Sequence, residues 1–346
     1  MKHLIYDYDE QPYRSKAFDF YFGDMSLGSF DIETTGLSPE KCYVILIGFM
    51  EISDSGCRLH QFFAESLSEE EDILRAFLEE AKRTDALLTY NGSSFDVPFM
   101  EKRMSLYPAL TDEKLRFYDM DIYPVLNRFS TLRSFLPNLK QKTVENFLGL
   151  WDSREDEISG GESVDLYFRY LSDHDPETEE LILCHNRDDV LQLARLLPVL
   201  KKADLHRAMF ETGFPMNRPC DASSGALPES ITVDKISITS RCLEVWGKQQ
   251  YNGTTRMIFE SAETPYTLSM DAVDMSFHAT VPLVDHENMK DLFIADLRPL
   301  GIAEEPFASY PQFEDGLLVL QNENEIYHSQ TIHFVKEFLN KAIWNK

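Results

Sequence analysis

The chain has 346 residues, 43% of them hydrophobic and 27% charged, with a net charge of −26 at neutral pH. That is a globular composition, long enough for one large domain or two of ordinary size. The longest apolar run, Tyr43 to Met50, is far shorter than the roughly eighteen residues of a membrane helix. The N-terminal MKHLIYDYDEQPYRSK turns polar and acidic too early for a signal peptide. Five scattered cysteines without a C-x-x-C pair argue against a disulfide scaffold or a cysteine zinc site. A cytoplasmic protein with no membrane association is therefore expected.

The first two hundred residues alternate strand and helix signals. Gly28 to Glu33, Tyr43 to Met50 and Cys57 to Phe63 read as strands rich in β-branched and aromatic residues, separated by Gly, Pro and Ser turns. Ser68 and Glu71 have the S-x-x-E spacing of a capping box, ahead of a helix with Ile73, Leu74, Phe77, Leu78 and Ala81 on one face. Ala86 to Tyr90 is a further strand, closed by the turn dipeptide Asn91-Gly92. A helix near 97–106, a strand near Leu115 to Tyr118 and several helical segments follow. Asp121 is placed to cap the helix beginning at Ile122. The last helix runs from Pro176, favoured in a first turn, to about Leu200.

Residues 212–230, TGFPMNRPCDASSGALPES, hold three prolines and two glycines and read as a boundary. Beyond it, Ile231 to Ile238, Thr264 to Met270 and Phe277 to Val284 are strand candidates, and Tyr251-Asn252-Gly253-Thr254 is a hairpin turn candidate. The chain closes on an amphipathic helix carrying Ile332, Val335, Phe338, Leu339, Ala342 and Ile343. The expected fold is α/β: a mixed β-sheet flanked by helices, then a smaller antiparallel β-rich domain with a C-terminal helix. The expected boundaries are an N-terminal extension over 1–27, a first domain over 28–200, a linker over 201–230 and the β-rich domain over 231–346.

Three motifs carry chemistry. In Asp31-Ile32-Glu33-Thr34-Thr35-Gly36 the two acids alternate along a strand and point to one side. Paired carboxylates repel unless a cation lies between them, and hard oxygen donors suit Mg²⁺ or Mn²⁺. An edge strand with two solvated acids would read the same way. In Asn91-Gly-Ser-Ser-Phe-Asp96-Val-Pro98 the aspartate follows a turn and opens a helix, where it could equally serve as a cap. In His185-Asn-Arg-Asp188-Asp189, His185 and Asp189 lie four apart on one helix face. Asp188, on the neighbouring face, is the alternative ligand, and an exposed acidic helix surface is the competing reading.

Taken in this order, the motifs resemble the DEDD 3′–5′ exonucleases of the ribonuclease H-like superfamily. Within that group the chain is similar to the YprB-like predicted exonuclease domain, to which LPNLKQKTVENFLG (136–149), REDEISGGES (154–163) and CHNRDDVLQL (184–193) also correspond. The resemblance covers about 28–200 and implies a ribonuclease H-like sheet. It implies that Asp31, Glu33, Asp96 and Asp189 hold two divalent ions, Mg²⁺ or Mn²⁺, which activate water and stabilise the leaving 3′ oxygen. His185 departs from the family pattern. It stands at the spacing where members carry Tyr, while another branch carries His five residues before the last Asp. A histidine there could orient or deprotonate water near neutral pH, or be a partly exposed side chain without a role. Asn91, Thr34, Lys140 and Arg187 are the candidate substrate contacts, and Arg154 matches a family arginine of open role.

The charge distribution fits such a substrate. Lys plus Arg less Asp plus Glu gives −11 over 1–80, +2 over 81–150, −9 over 151–200 and −8 over 201–346. Lys102, Arg103, Lys114, Arg116, Arg128, Arg133, Lys140 and Lys142 fall in the one locally basic stretch, where phosphate contacts are expected. Tyr90, Phe95, Phe99 and Tyr107 lie among them and are candidates for base stacking or for the core. The expected function is a two-metal 3′–5′ exonuclease on single-stranded DNA or RNA. The alternatives are a ribonuclease H-like binding or scaffold protein with weak or no catalysis, which the net charge and His185 favour, and an endonuclease of the same superfamily.

Overall fold

A computed structural model describes residues 1–150, 154–155, 158, 160–219, 229–239, 241–250, 257–259, 265–271, 273–284 and 291–345. The chain divides into two compact units, Met1–Asp204 and Leu205–Lys346. In the first, β1 (Lys2–Tyr8), β2 (Leu27–Thr34), β3 (Val44–Ser53), β4 (Gly56–Phe63), β5 (Ala86–Thr89) and β6 (Tyr118–Asp121) form one sheet ordered β1-β4-β3-β2-β5-β6. The first three pairings in this order are antiparallel, while β2–β5 and β5–β6 are parallel. This is the mixed sheet flanked by helices that the strand and helix alternation predicts. The strand expected at Leu115 to Tyr118 lies three residues later.

Residues 1–27, read from the sequence as an extension, are built into this unit. Strand β1 pairs along β4 from Lys2 opposite Phe63 to Tyr8 opposite Cys57, and helix α1 (Lys16–Phe22) buries Phe18, Tyr21 and Phe22. The sequence signal is weak because β1 is an edge strand. Leu4, Tyr6 and Tyr8 pack inward, while only the exposed side carries His3, Ile5 and Asp7.

Two helical layers cover the sheet. On one face, Ile73, Leu74, Phe77 and Leu78 of α2 (Glu70–Ala81) and Phe99, Met100 and Met104 of α3 (Asp96–Met104) pack on Phe30, Ile32, Ile47 and Phe49. On the other lie α6 (Gly160–Asp173) and α7 (Pro176–Leu196), through Tyr167, Tyr170, Ile182 and Leu183 against Ile45, Leu46 and Phe63. Strand β3 is buried from Val44 to Met50, which explains its unbroken apolar run: a central strand covered on both faces has no polar side.

Two local expectations are corrected. The Ser68–Glu71 capping box does not form. A short 3₁₀ turn over Leu67–Glu69 precedes α2, no side chain caps the helix, and Glu71 pairs with Arg75 at 2.5 Å. Arg103, a candidate phosphate contact, instead satisfies Glu70, which is fully buried, and Tyr107, open to base stacking or the core, joins it there. Glu70 Oε1 accepts from Val44 N at 2.7 Å and Arg103 Nε at 2.8 Å. Its Oε2 accepts from Arg103 Nη2 at 2.5 Å and from the Tyr107 hydroxyl. A buried carboxylate must find such partners or lose its charge, and the result ties the loop after β2 to α3 through Arg103 Nη1 and Pro39 O, 3.0 Å apart.

Helices α4 (Ile122–Phe129), capped by Asp121 as expected, and α5 (Gln141–Leu148) complete the unit. In the second unit β7 (Phe214–Asn217), β8 (Ser230–Ile238), β9 (Cys242–Gln250), β10 (Met257–Phe259), β11 (Thr267–Asp271) and β12 (Ser276–Pro282) form an antiparallel sheet ordered β10-β11-β12-β9-β8-β7. Strands β8 and β11 lie close to their expected positions. A smaller sheet, β13 (Leu292–Asp296) to β16 (Glu325–Ile326), precedes α9 (His328–Leu339), and α8 (Leu205–Thr212) falls in the stretch read as a linker. The hairpin turn at 251–254 lies outside the described residues.

Helix α7 lies against β3 at Gly48, where an added Cβ would stand 2.3 Å from Asn186 Oδ1 and 2.6 Å from Val190 Cγ2. Gly48→Ala is therefore expected to destabilise the first unit by about 1–3 kcal/mol. Chemical denaturation of native and variant chains measures this, and an unchanged midpoint would contradict the close packing.

Candidate active site

Strand β2 presents Ser29, Asp31 and Glu33 toward α7, while Phe30 and Ile32 enter the core on the opposite face. The pairing with β3 shifts register between Glu33 and Thr34. Such a bulge re-aims the side chains beside it. The acids lie near the end of β2, beside the parallel strand β5, where the sheet changes from antiparallel to parallel order. Clefts of α/β sheets form at such strand ends.

The turn after β5 supplies the next acid. Asn91 adopts a left-handed backbone (φ 66°), and a Cβ on Gly92 would meet Thr89 Cβ at 2.4 Å, so the Asn-Gly dipeptide is dictated by space. Asp121 accepts from Asn91 N at 2.7 Å, Ser93 N at 3.1 Å and Ser93 Oγ at 2.6 Å, as well as capping α4 through Tyr123 N at 3.1 Å. Asp96 then becomes the first residue of α3. Its Oδ1 accepts from Ile32 N at 3.3 Å, which joins it to the strand bearing Asp31 and Glu33.

Helix α7 supplies the third group. His185 Nε2 lies 3.8 Å from Glu33 Oε1 and 3.7 Å from Asp189 Oδ2. Donor atoms of Glu33, His185 and Asp189 all fall within 4.8 Å of one another, a spacing that could hold a metal ion. An open cleft of about 460 Å³ is lined by Asp31, Glu33, Asp96, His185 and Asp189 together with Tyr90, Asn91, Phe95, Lys140, Gln141 and Lys142.

The electrostatics of the cleft follow from crowding these acids. Burial pushes the Asp31 carboxyl well above the usual range, and the charges of Asp96, Asp189 and Glu33 push it further, against an opposing hydrogen bond from Asn186. Burial likewise raises Asp96 to about 7, with Asp119 and Asp121 adding to the rise and the bond from Ile32 opposing it. Four carboxylates set close together beside one imidazole, two of them raised, are the donor chemistry that a hard divalent cation relieves. The residues present therefore fit such an ion.

The structure brings Asp31, Glu33, Asp96, His185, Asp189, Asn91 and Lys140 to one cleft. It places the other two candidates elsewhere. Thr34 Oγ1 donates to Gly36 O at 2.8 Å. Arg187 lies over the Tyr6 ring at 5.1 Å and pairs with Glu180 at 3.2 Å. Asp188, the alternative ligand, accepts from Glu155 N at 2.6 Å. Phe99 belongs to the core, while Tyr90 donates to Leu139 O at 2.6 Å from the cleft wall.

Two residues that the sequence reading passed over hold the acids in place. Asn186 Nδ2 donates to Asp31 Oδ2 at 3.2 Å and Asp31 O at 3.3 Å, and its Oδ1 accepts from Gln61 Nε2 at 3.0 Å. Gln61 also donates to Leu183 O at 2.9 Å, and Ser29 Oγ to Val190 O at 2.9 Å. A signal was available. Asn186 falls in helical register with Ile182, Val190 and Leu193, so it is a polar residue on an otherwise apolar stripe.

The sheet order, the helices on both faces and the acids at the strand ends are those of a ribonuclease H-like domain. The family model described as the RNase_H superfamily matches residues 29–201, half of the chain, and the chain belongs to that family. It is 28% identical over 169 residues to the uncharacterized protein YprB of Bacillus subtilis (strain 168), a match covering 48% of this chain and 40% of that relative. Among solved structures, the family B DNA polymerase from the archaeon Pyrobaculum calidifontis aligns with a TM-score of 0.41 and 20% identity, over 51% of this chain and 24% of the polymerase. E. coli Exonuclease I in complex with a 5cy-dT13 oligonucleotide aligns with a TM-score of 0.27 and 12% identity, over 65% of this chain and 55% of that one. No helix among the described residues is long and apolar enough to cross a membrane.

The raised acids have a measurable consequence in the metal-free chain. The folded state holds protons on Asp31 and Asp96 that the unfolded chain releases near pH 4. Their effect on stability is therefore most favourable below about pH 4 and, for Asp96, is lost as pH rises through about 7. Asp96→Asn removes one such group and keeps an oxygen for the Ile32 bond. In EDTA at pH 8 it is expected to melt above the native chain, with the difference shrinking at pH 5. Equal melting temperatures at both values would show that Asp96 is not strained by its surroundings.

Proposed function

We propose that the first unit is a metal-dependent 3′–5′ exonuclease acting on single-stranded DNA or RNA. The observation that carries this reading is the convergence of four carboxylates and a histidine from β2, α3 and α7 in one open cleft that also has two lysines on its wall. Asp31, Glu33, Asp96 and Asp189 would hold two ions, Mg²⁺ or Mn²⁺. When bound, such ions supply Lewis acidity on the scissile phosphate and charge neutralisation in the transition state.

The chain's own groups do the rest. His185 Nε2, 3.8 Å from Glu33 Oε1 and 3.7 Å from Asp189 Oδ2, would orient an attacking water and take its proton. Lys140 and Lys142 provide phosphate contacts in a chain whose overall charge repels nucleic acid. Tyr90 and Phe95 offer ring surfaces on which a terminal base could stack. Asn91 stands beside Asp96, where its amide can bond the substrate.

Digestion of 5′-labelled single-stranded DNA and RNA in Mn²⁺, Mg²⁺ or EDTA tests the reading. The expected result is a ladder shortening from the 3′ end only with metal, and lowered by about 100-fold or more in Asp31→Ala. Cleavage of circular single strands would replace the exonuclease reading with an endonuclease. No cleavage of either polymer would leave a binding or scaffold protein.

Replacing both Lys140 and Lys142 with Gln is expected to weaken oligonucleotide binding at every sequence. The slope of log affinity against log salt should fall by roughly 0.7 for each phosphate that is no longer neutralised. An unchanged slope would take the substrate path away from this side of the cleft.

A further inference from the structure

A buried ion pair outside the cleft reaches one of its acids. Arg154 Nε donates to Glu145 Oε2 at 2.6 Å and Nη2 to Glu145 Oε1 at 2.8 Å, and the same Nη2 donates to Asp189 Oδ1 at 2.5 Å. The Arg154 and Glu145 side chains are only 7% and 1% exposed. Their surroundings are fixed from several sides. Glu155 N donates to Asp188 Oδ2 at 2.6 Å, Lys142 Nζ to Ile158 O at 3.0 Å, and Gln141 Nε2 to Asp189 O at 3.1 Å. Arg154 is thus fastened both to α5, which carries Glu145, and to the helix bearing Asp189.

We propose that Arg154, neutralised by Glu145, is the positioning residue that turns Asp189 into a one-oxygen metal ligand, with Oδ1 engaged and Oδ2 facing His185 and the cleft. The inference rests on the metal-site reading above. A lone arginine beside Asp189 would orient it but would also cancel the charge that attracts a cation. The Arg154–Glu145 pair has no net charge, so it directs the carboxylate while leaving its charge available. This also explains a glutamate buried so completely on α5. It gives Arg154 a fixed, two-bond seat, geometry that guanidinium and carboxylate match well.

The test uses the full chain in three forms: native, the charge-balanced double variant Glu145→Gln/Arg154→Gln, and Arg154→Lys, which keeps the charge but loses the fork. Mn²⁺ alone is titrated by electron paramagnetic resonance and calorimetry, beside thermal unfolding in EDTA. The expected result is Mn²⁺ binding about 10–100-fold weaker in both variants. In oligonucleotide digestion kcat falls while KM is little changed, because Arg154 does not line the cleft. Arg154→Lys supplies the comparison if the double variant fails to fold. Unchanged or tighter Mn²⁺ binding by a folded variant overturns the proposal and leaves the metal site standing. A native chain that binds no Mn²⁺ removes the metal site and the proposal together.

Discussion

The seating of α7 against β3 is the constraint on which the rest of the site depends. Gly48 lets the helix approach until Asn186 and Val190 occupy the space where a side chain would stand. At that distance Asn186 reaches Asp31 and Gln61 at once, and Ser29 reaches Val190 O. The same seating carries His185 and Asp189 to Glu33. Apolar contacts from Ile182, Leu183, Val190 and Leu191 supply the driving force. The polar bonds choose the register, because a helix displaced along its axis would bury Asn186 and Gln61 without partners, at a cost of about 1–3 kcal/mol each.

The structure concentrates negative charge where it is most costly and neutralises it elsewhere. Away from the cleft, the buried acid Glu70 is matched by Arg103 and Tyr107, and Glu145 by Arg154. Inside the cleft, Asp31 and Asp96 face other carboxylates and are shifted upward. Perturbed groups of this kind gather at functional sites because the strain is relieved by what binds there. The raised acids and the neutralised ones thus belong to one unit and serve different ends.

Much of this was legible in the chain. Alternation on β2 put Asp31 and Glu33 on one side, the four-residue spacing put His185 with Asp189, and the turn chemistry of Asn91-Gly92 located Asp96. The order of the three motifs identified the fold of the first unit. Less visible were the supporting groups. Arg103 reads as a substrate contact because a basic residue in a positive stretch suits nucleic acid, and Tyr107 reads equally as a stacking or a core residue, yet both turn inward to a glutamate 33 and 37 residues away. The capping box failed for a related reason: the segment before α2 forms a 3₁₀ turn, and Glu70 is drawn into the core.

The sequence by itself determined the periodicities, and with them which side chains share a strand face or a helix face, because those depend on backbone geometry over a few residues. Only the tertiary structure decided that β1 completes the sheet and that Arg187 lies over Tyr6 away from the cleft. It also decided that Arg154 is shared between Glu145 and Asp189, 9 and 35 residues distant. A charged side chain's partner is set by which buried group most needs compensation once the layers close. That demand exists only in three dimensions, since in the open chain water satisfies every one of these groups equally well.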